Sequence, residues 1–79
     1  MTLYILYSTD PWLSEDSKTI EGVFSTERLL NAGMGKLLEL GEMTAEQIEQ
    51  VKSIRQSQLS GLDKEYIVVE VEGNQLLNY

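Results

Sequence analysis

Three serines near the amino end of the chain, Ser8, Ser14 and Ser17, come nearest to a nucleophilic site. A serine hydroxyl needs a neighbouring general base, usually an imidazole, before it can attack a substrate. The sequence contains no His and no Cys, so Ser–His and Cys–His arrangements are excluded. Lys18 could act as a base only if it were buried, and nothing in the sequence indicates such burial.

Carboxylates could do two other kinds of chemistry. Asp10 and Glu21 could form an acid–base pair across a hairpin, but acids are so numerous in this chain that one pair carries little weight. Asp10, Glu15 and Asp16 are close in sequence, but they lack the ligand positions and the glycine of a calcium loop. We therefore predict no enzyme activity, no cofactor and no metal site.

The loop over residues 8–18 is better suited to binding than to catalysis, because it combines hydroxyls, acids, a Lys and the single Trp. Binding residues concentrate on loops, and Trp12 could stack on a base or anchor a protein contact. The alternative is that Trp12 covers the core edge while Asp10 and Ser17 cap turns. The candidate ligand- or partner-binding residues are Tyr7, Asp10, Trp12, Ser14, Ser17 and Lys18.

The length of the chain, 79 residues, predicts a single domain over residues 1–79. A domain of this size buries only about 60% of the surface that its unfolded chain exposes. Without cysteine there is no disulfide to add stability, and association with another chain is the remaining source. We therefore predict a homo-oligomer, most simply a dimer.

Thirteen acids against six bases give a net charge of −7. Such a surface repels nucleic-acid phosphates and anionic membranes, so we predict no direct nucleic-acid or membrane binding. No apolar run could span a bilayer and no basic leader precedes the first strand, which favours a cytoplasmic protein. The acids either dock on a basic partner or only maintain solubility. The candidate docking residues are Glu46, Glu49, Glu70 and Glu72.

Two strands must carry the loop. Residues 3–7 are apolar at every position, which predicts a central strand covered on both faces. Pro11 ends it. Residues 18–24 form the second strand, and a connection of this length favours an antiparallel pair.

The first helix is predicted to begin at the N-cap Ser25 and to end at Gly41. Gly33 and Gly35 lie inside it, which indicates close packing on the sheet or, alternatively, a bend. Its apolar stripe comprises Leu30, Met34, Leu37 and Leu38.

The second helix begins with a capping box from Thr44 to Gln47 and is predicted to end at Gly61. Its stripe comprises Ile48, Val51, Ile54 and Leu59, and Arg55 is among the residues predicted to face water.

The third strand covers residues 65–72, so the chain is predicted to be an α+β domain of order ββααβ. Its three-stranded sheet carries both helices on one face. The third strand is placed beside the first, parallel to it if the helices form a hairpin; the alternative is an antiparallel position beside the second strand. Leu3, Ile5, Ile67, Val69 and Val71 are assigned to the core. The opposite face then carries four apolar side chains, which predicts a self-association or partner surface: Tyr4, Leu6, Tyr66 and Val68.

The amino-terminal third of the sequence resembles small uncharacterised proteins encoded by bacteriophages and prophages. The resemblance consists of the aromatic strand with Ser-x-Asp-x-Trp over residues 4–12, the spaced Ser14 and Ser17, and Gly-Val-Phe before a helix at residues 22–26. Residues 66–72 resemble the Tyr-Ile-Val stretch with acids near the end of those proteins. The resemblance implies a phage accessory protein and assigns no activity.

Three functions follow as hypotheses. The first is a non-enzymatic phage-type protein that inhibits a host defence protein by protein–protein contact. The second is a protein that sequesters a small nucleotide signal. The third is a structural or virion-associated protein.

Overall fold

The computed structural model of the chain describes residues 2–59 and 61–72. The elements are β1 (Thr2–Thr9), β2 (Thr19–Phe24), α1 (Glu27–Glu39), α2 (Ala45–Ile54) and β3 (Glu65–Glu72). The strand order is β2-β1-β3, and both pairings are antiparallel. The α+β class and the ββααβ order are confirmed. In the described part of the chain, neither helix has the length and hydropathy to cross a membrane.

The central position of β1 is also confirmed, since it pairs with β2 on one side and with β3 on the other. The predicted orientation of β3 is wrong, because β3 runs antiparallel to β1. The helix α2 ends at Ile54 rather than at Gly61. Arg55 then adopts a left-handed conformation with φ of 66°, and residues 56–59 form an extended return segment.

This return segment runs back along the outer edge of β3. Gln56 forms a β-bridge with Ile67, and the Ser57 amide donates to the Tyr66 carbonyl at 2.8 Å. The Val68 amide donates to the Arg55 carbonyl at 2.8 Å. The chain therefore traverses the sheet once more than a simple helical hairpin would, which reverses the direction of β3.

The helices cover the sheet face opposite to the one predicted, although Ile5, which was assigned to the core, is buried at 6% exposure. Leu6, Tyr66 and Val68 are buried against the helices, with Tyr4 packed at their margin. They join Leu30, Met34, Met43 and Val51 in the core. These four strand residues, Tyr4, Leu6, Tyr66 and Val68, therefore cannot form the exposed surface predicted for them. Both faces of β1 and most of β3 are apolar, so hydrophobicity alone could not predict which face packs against the helices. The face that does so carries Tyr66, whose hydroxyl donates to the Glu42 carbonyl at 2.9 Å.

The helix boundaries follow from capping. The first helix is capped by Thr26, whose hydroxyl accepts from the Leu29 amide, and not by Ser25. The capping box of Thr44 and Gln47 is confirmed in both directions. Gly41 follows the end of α1 with φ of 78°, as a glycine at a helix C-terminus does.

The predicted apolar stripes of the two helices agree with the observed burial at their centres but not at their margins. Leu30 and Met34 are fully buried, whereas Leu38 and Ile54 are exposed. Close packing is confirmed for Gly33, where an added Cβ would lie 2.5 Å from Cζ of Phe24.

Candidate binding site

The loop between β1 and β2 is organised around the carboxylate of Asp10. This carboxylate accepts from the Ser14 amide at 3.0 Å, the Ser14 hydroxyl at 2.7 Å and the Trp12 amide at 3.1 Å. Hydrogen bonds from the Ser14 amide, and then from the other donors, hold the pKa of Asp10 below its ordinary value. The Asp10 amide in turn donates to the Ser17 hydroxyl at 3.0 Å, so the loop is closed at both ends.

The remaining loop hydroxyls are engaged within the molecule as well. The Ser17 hydroxyl donates to the Ser14 carbonyl at 2.8 Å, and a short 3₁₀ turn, Glu15–Ser17, follows Ser14. The Ser8 hydroxyl donates to Glu21 at 2.7 Å. Among the predicted binding residues, Asp10, Ser14 and Ser17 therefore have a structural role in shaping the loop.

Trp12 is presented to solvent by this framework. Its side chain is 80% exposed, so the alternative in which it covers the core edge is wrong. Leu13 beside it has φ of 57°, a left-handed conformation that costs a leucine about 1 kcal/mol. A hydrogen-bonded, locally strained loop thus holds a large apolar ring in water.

Lys18, the cation of the loop, already interacts with two other residues of the chain. Its ammonium lies 5.3 Å from the ring centroid of Tyr7 and 3.1 Å from the Glu15 carboxylate. These two predicted binding residues are brought together, but as partners of each other rather than as open ligand contacts.

A shallow, open groove of about 370 Å³ lies beside Trp12. Two segments form it: residues 11–13 of the loop and, opposite them, the end of the return segment with the first residue of β3. The described residues that line it carry no cation: Pro11, Trp12, Leu13, Gln58, Leu59 and Glu65.

Glu65, one of the groove residues, was not anticipated from the sequence. Its side chain is buried, at 1% exposure, and its carboxylate accepts from the Ser57 hydroxyl at 2.7 Å and the Leu59 amide at 2.9 Å. Gln47 donates to the same carboxylate at 3.3 Å and to the Lys64 carbonyl at 2.8 Å. This network fixes the return segment against α2 and β3. A Glu at a strand start gives no signal of it in the sequence.

The second notable surface is the uncovered sheet face. The register places Ile5 opposite Val23 on one side and opposite Val69 on the other. Tyr7 lies opposite Ile20 and Ile67 in the same way. Together with the Leu3–Val71 pair, the sheet face away from the helices, here named the uncovered sheet face, comprises Leu3, Ile5, Tyr7, Ile20, Val23, Ile67, Val69 and Val71, none of them charged. Ile20 and Val23 are exposed, Ile5 is buried, and the other five are half-buried.

The predicted acidic docking residues do not gather at one place. Glu46 and Glu49 are exposed on α2, whose N-terminal turn contacts Lys64 just before β3. Glu70 and Glu72 lie at the other end of β3, where Glu72 accepts from the Thr2 hydroxyl.

Glu70 is paired with Arg55, which does not simply face water as predicted. The guanidinium binds Glu70 at 3.2 Å, binds Glu27 at the start of α1, and lies 5.7 Å from the ring of Tyr4. The pKa of Arg55 is raised, chiefly by the hydrogen bond to Glu27. Arg55 therefore ties both helices to the sheet.

Comparison with protein-family models, curated proteins and solved structures finds no match to this chain. Within residues 2–59 and 61–72, no group of three or more acids is close enough to hold a metal ion. The two surfaces described above, around Trp12 and on the sheet, are thus the features from which a function can be argued.

Proposed function

We propose that this chain is a non-enzymatic binding protein that acts by protein–protein contact, with Trp12 at the centre of the contact. The observation that supports this most directly is an 80% exposed Trp held by an internally hydrogen-bonded loop. Binding surfaces are enriched in Trp, and a few such residues carry most of the binding energy.

The fixed conformation of the loop is as important for binding as the exposure of the Trp12 ring. Asp10 accepts three hydrogen bonds within the loop, and Ser17 closes it onto Asp10. A ring held in place before binding loses less conformational freedom when it enters a partner's pocket, and this improves affinity. The strain at Leu13 fits a loop shaped for presentation rather than for stability alone.

The proposed partner is a host protein. The resemblance to phage-encoded proteins implies that the protein acts in a bacterial cytoplasm, and inhibition of a defence protein is the role that we propose. The net charge of −7 favours a partner with a basic surface, since complementary charge accelerates association.

The test uses the tagged full-length protein expressed in a bacterial host. Proteins captured by the wild type are quantified against those captured by Trp12→Ala and by a control, Leu40→Ala. Leu40 is also exposed, but it lies at the end of α1. We expect one host protein to depend on Trp12 and not on Leu40.

The captured protein is then purified and its affinity and activity are measured. We expect Trp12→Ala to weaken binding by about 30-fold or more, as for a central Trp contact, and the wild type to inhibit the activity of the partner. Equal affinity of Trp12→Ala and wild type, with unchanged melting temperatures, would refute the assignment of Trp12.

A small-ligand function is the second candidate, and the groove beside Trp12 favours it. A planar ring could stack on Trp12 while its polar edge approaches the exposed Gln58. The groove residues carry no cation, so the base of a nucleoside fits this groove better than a phosphate does. Titration with nucleosides and nucleotides while Trp fluorescence is recorded tests it; an unchanged spectrum and melting temperature across the panel would reject this candidate.

A further inference from the structure

The uncovered sheet face is unusual for a chain so rich in acids. None of its eight side chains is charged. Ile20 and Val23 on the edge strand β2 are 59% and 52% exposed, whereas Ile5 on the central strand is 6% exposed. The largest apolar patch on a typical monomeric protein covers about 300–600 Å² and is often a functional surface. We therefore expect another molecule to cover this face, and the chemistry of the face restricts which molecule can bind there.

Charge is the first restriction. The molecule carries a net charge of −7, yet the acids of β3 beyond its first residue, Glu70 and Glu72, alternate to the opposite side of the strand from Val69 and Val71. A basic partner would gain little from this face, because none of its eight residues is an acid; the Glu15 carboxylate lies only at its margin, paired with Lys18 over the Tyr7 ring. An apolar, charge-free centre is instead typical of contacts between identical subunits.

The edges of the sheet are the second restriction. At the free edge, β2 contains a bulge: Leu6 and Tyr7 pair with Gly22 and Ile20, which leaves Glu21 outside the register, with its carboxylate accepting from the Ser8 hydroxyl. Bulges and charges at an edge oppose pairing with another sheet. The other edge, β3, is flanked by the return segment at Gln56. Association by strand addition is therefore disfavoured, and the uncovered sheet face is the remaining surface for association.

We infer that a second copy of this chain covers the uncovered sheet face, related to the first by a two-fold axis. A flat sheet face is complementary to itself, because two such faces stack at about 10 Å with their strands about 30° apart. In a two-fold contact each residue of the face is used twice. The dimer would have four layers, with helices outside and the two sheets within.

The size of the face sets the expected affinity. Five residues along β1 and three strands across, at about 3.3 Å and 4.8 Å each, give about 450 Å² per copy once side-chain overhang is included. Two copies then bury about 900 Å², which is below the roughly 1,200 Å² at which stable specific interfaces begin and within the range of weak, transient contacts. We expect a dimer that dissociates in the micromolar range.

Salt dependence separates this contact from the partner contact proposed above. Two copies of charge −7 repel each other, so screening by salt strengthens the dimer. A contact with a basic host protein would weaken under the same change. The dimer also rests on residues of the sheet face and not on Trp12, so either proposal can fail without the other.

The experiment is sedimentation velocity of the full-length protein from about 1 to about 200 µM, the range in which such an affinity lies. It is repeated at about 50 and about 500 mM NaCl, where the screening length differs about threefold. We expect a concentration-dependent dimer that is tighter at high salt, and Trp12→Ala should not alter it.

Two lysine substitutions locate the contact. Val69→Lys places a charge in the middle of β3, beside the central Ile5, and Val23→Lys places one at an exposed position that folding tolerates. Both should weaken the dimer by about 10-fold or more, because the two-fold axis places two lysine charges in each interface. A 10-fold loss of affinity corresponds to about 1.4 kcal/mol. Ile54→Lys is the control, because Ile54 is similarly exposed but lies on α2; it should dimerise like the wild type.

Three results would overturn the inference. One is a wild-type monomer at the highest concentration. Another is a dimer that survives Val23→Lys with unchanged affinity. The third is a dimer that weakens as salt is added.

Discussion

Two glycines in one helix make the packing of α1 on the sheet directly testable. Gly33 faces Phe24, and a Cβ built on Gly33 would lie 2.5 Å from Cζ and 2.7 Å from Cε1 of that ring. A Cβ on Gly35 would meet no atom within 4 Å. The substitutions Gly33→Ala and Gly35→Ala therefore change the same helix by the same methyl group and differ in what that methyl meets.

The expected free energies follow from this geometry. Alanine stabilises a helix interior by about 0.8 kcal/mol relative to glycine, so Gly35→Ala should raise the stability by about that amount. At Gly33 the same gain is opposed by overpacking, which costs about 1–3 kcal/mol. The ring cannot simply move away, because Phe24 also lies against Gly22, where an added Cβ would be 2.7 Å from Cζ. We expect the two variants to differ by about 2 kcal/mol, the overpacking term alone.

Thermal unfolding followed by circular dichroism measures this difference. For a domain of this size, 1 kcal/mol corresponds to about 4–8 °C in melting temperature. Gly35→Ala should melt a few degrees above the wild type, and Gly33→Ala clearly below Gly35→Ala. Because a dimer would melt at a temperature that depends on concentration, all three proteins are compared at one low concentration. Equal stabilisation by both substitutions would refute the contact between Phe24 and α1.

Two further predictions concern Arg55 and Asp10. Arg55→Ala removes two partly exposed ion pairs and should lower the free energy of unfolding, measured with denaturant, by about 1 kcal/mol. Arg55→Gly should be about 1 kcal/mol more stable than Arg55→Ala, because glycine adopts the left-handed backbone conformation without strain. Equal stabilities of the two variants would contradict this reasoning. Since the pKa of Asp10 lies below its ordinary value of 3.8, its contribution to loop stability is complete above that pH and is lost as pH falls through the lower folded value. The fluorescence of Trp12 should therefore be constant down to pH 3.8 and change below it, and a variant with Asp10→Asn should lack this acid transition.

The elements could be read from the sequence wherever one local interaction defines them. The bounds of β3, the central position of β1 and the capping box of Thr44 follow from alternation, unbroken hydrophobicity and side-chain chemistry. The end of α2 could not be read in this way. It depends on Arg55 in a left-handed conformation, and that residue is held there by Glu27 and Glu70, which are distant in sequence.

The candidate site was predictable in part for the same reason. Trp12 is conspicuous in sequence, and the turn made by Asp10 is local. The groove beside Trp12 depends instead on Glu65 and the return segment, which the network around Ser57 holds in place. No local pattern predicts a contact of that kind, because its donors come from three separate elements.

The reversed sheet faces and the inferred dimer have one physical origin. An unbroken apolar strand predicts cover on both faces. Among the described residues the helices cover only the side of Leu6; no second layer of helices or strands lies on the other side, where Ile5 is buried and Lys18 lies over the Tyr7 ring. The unbroken hydrophobicity of β1 is what a strand needs if its second layer comes from another molecule. The sequence pattern and the exposed face thus favour the same arrangement, in which the protein dimerises through its sheet and leaves Trp12 free for a partner.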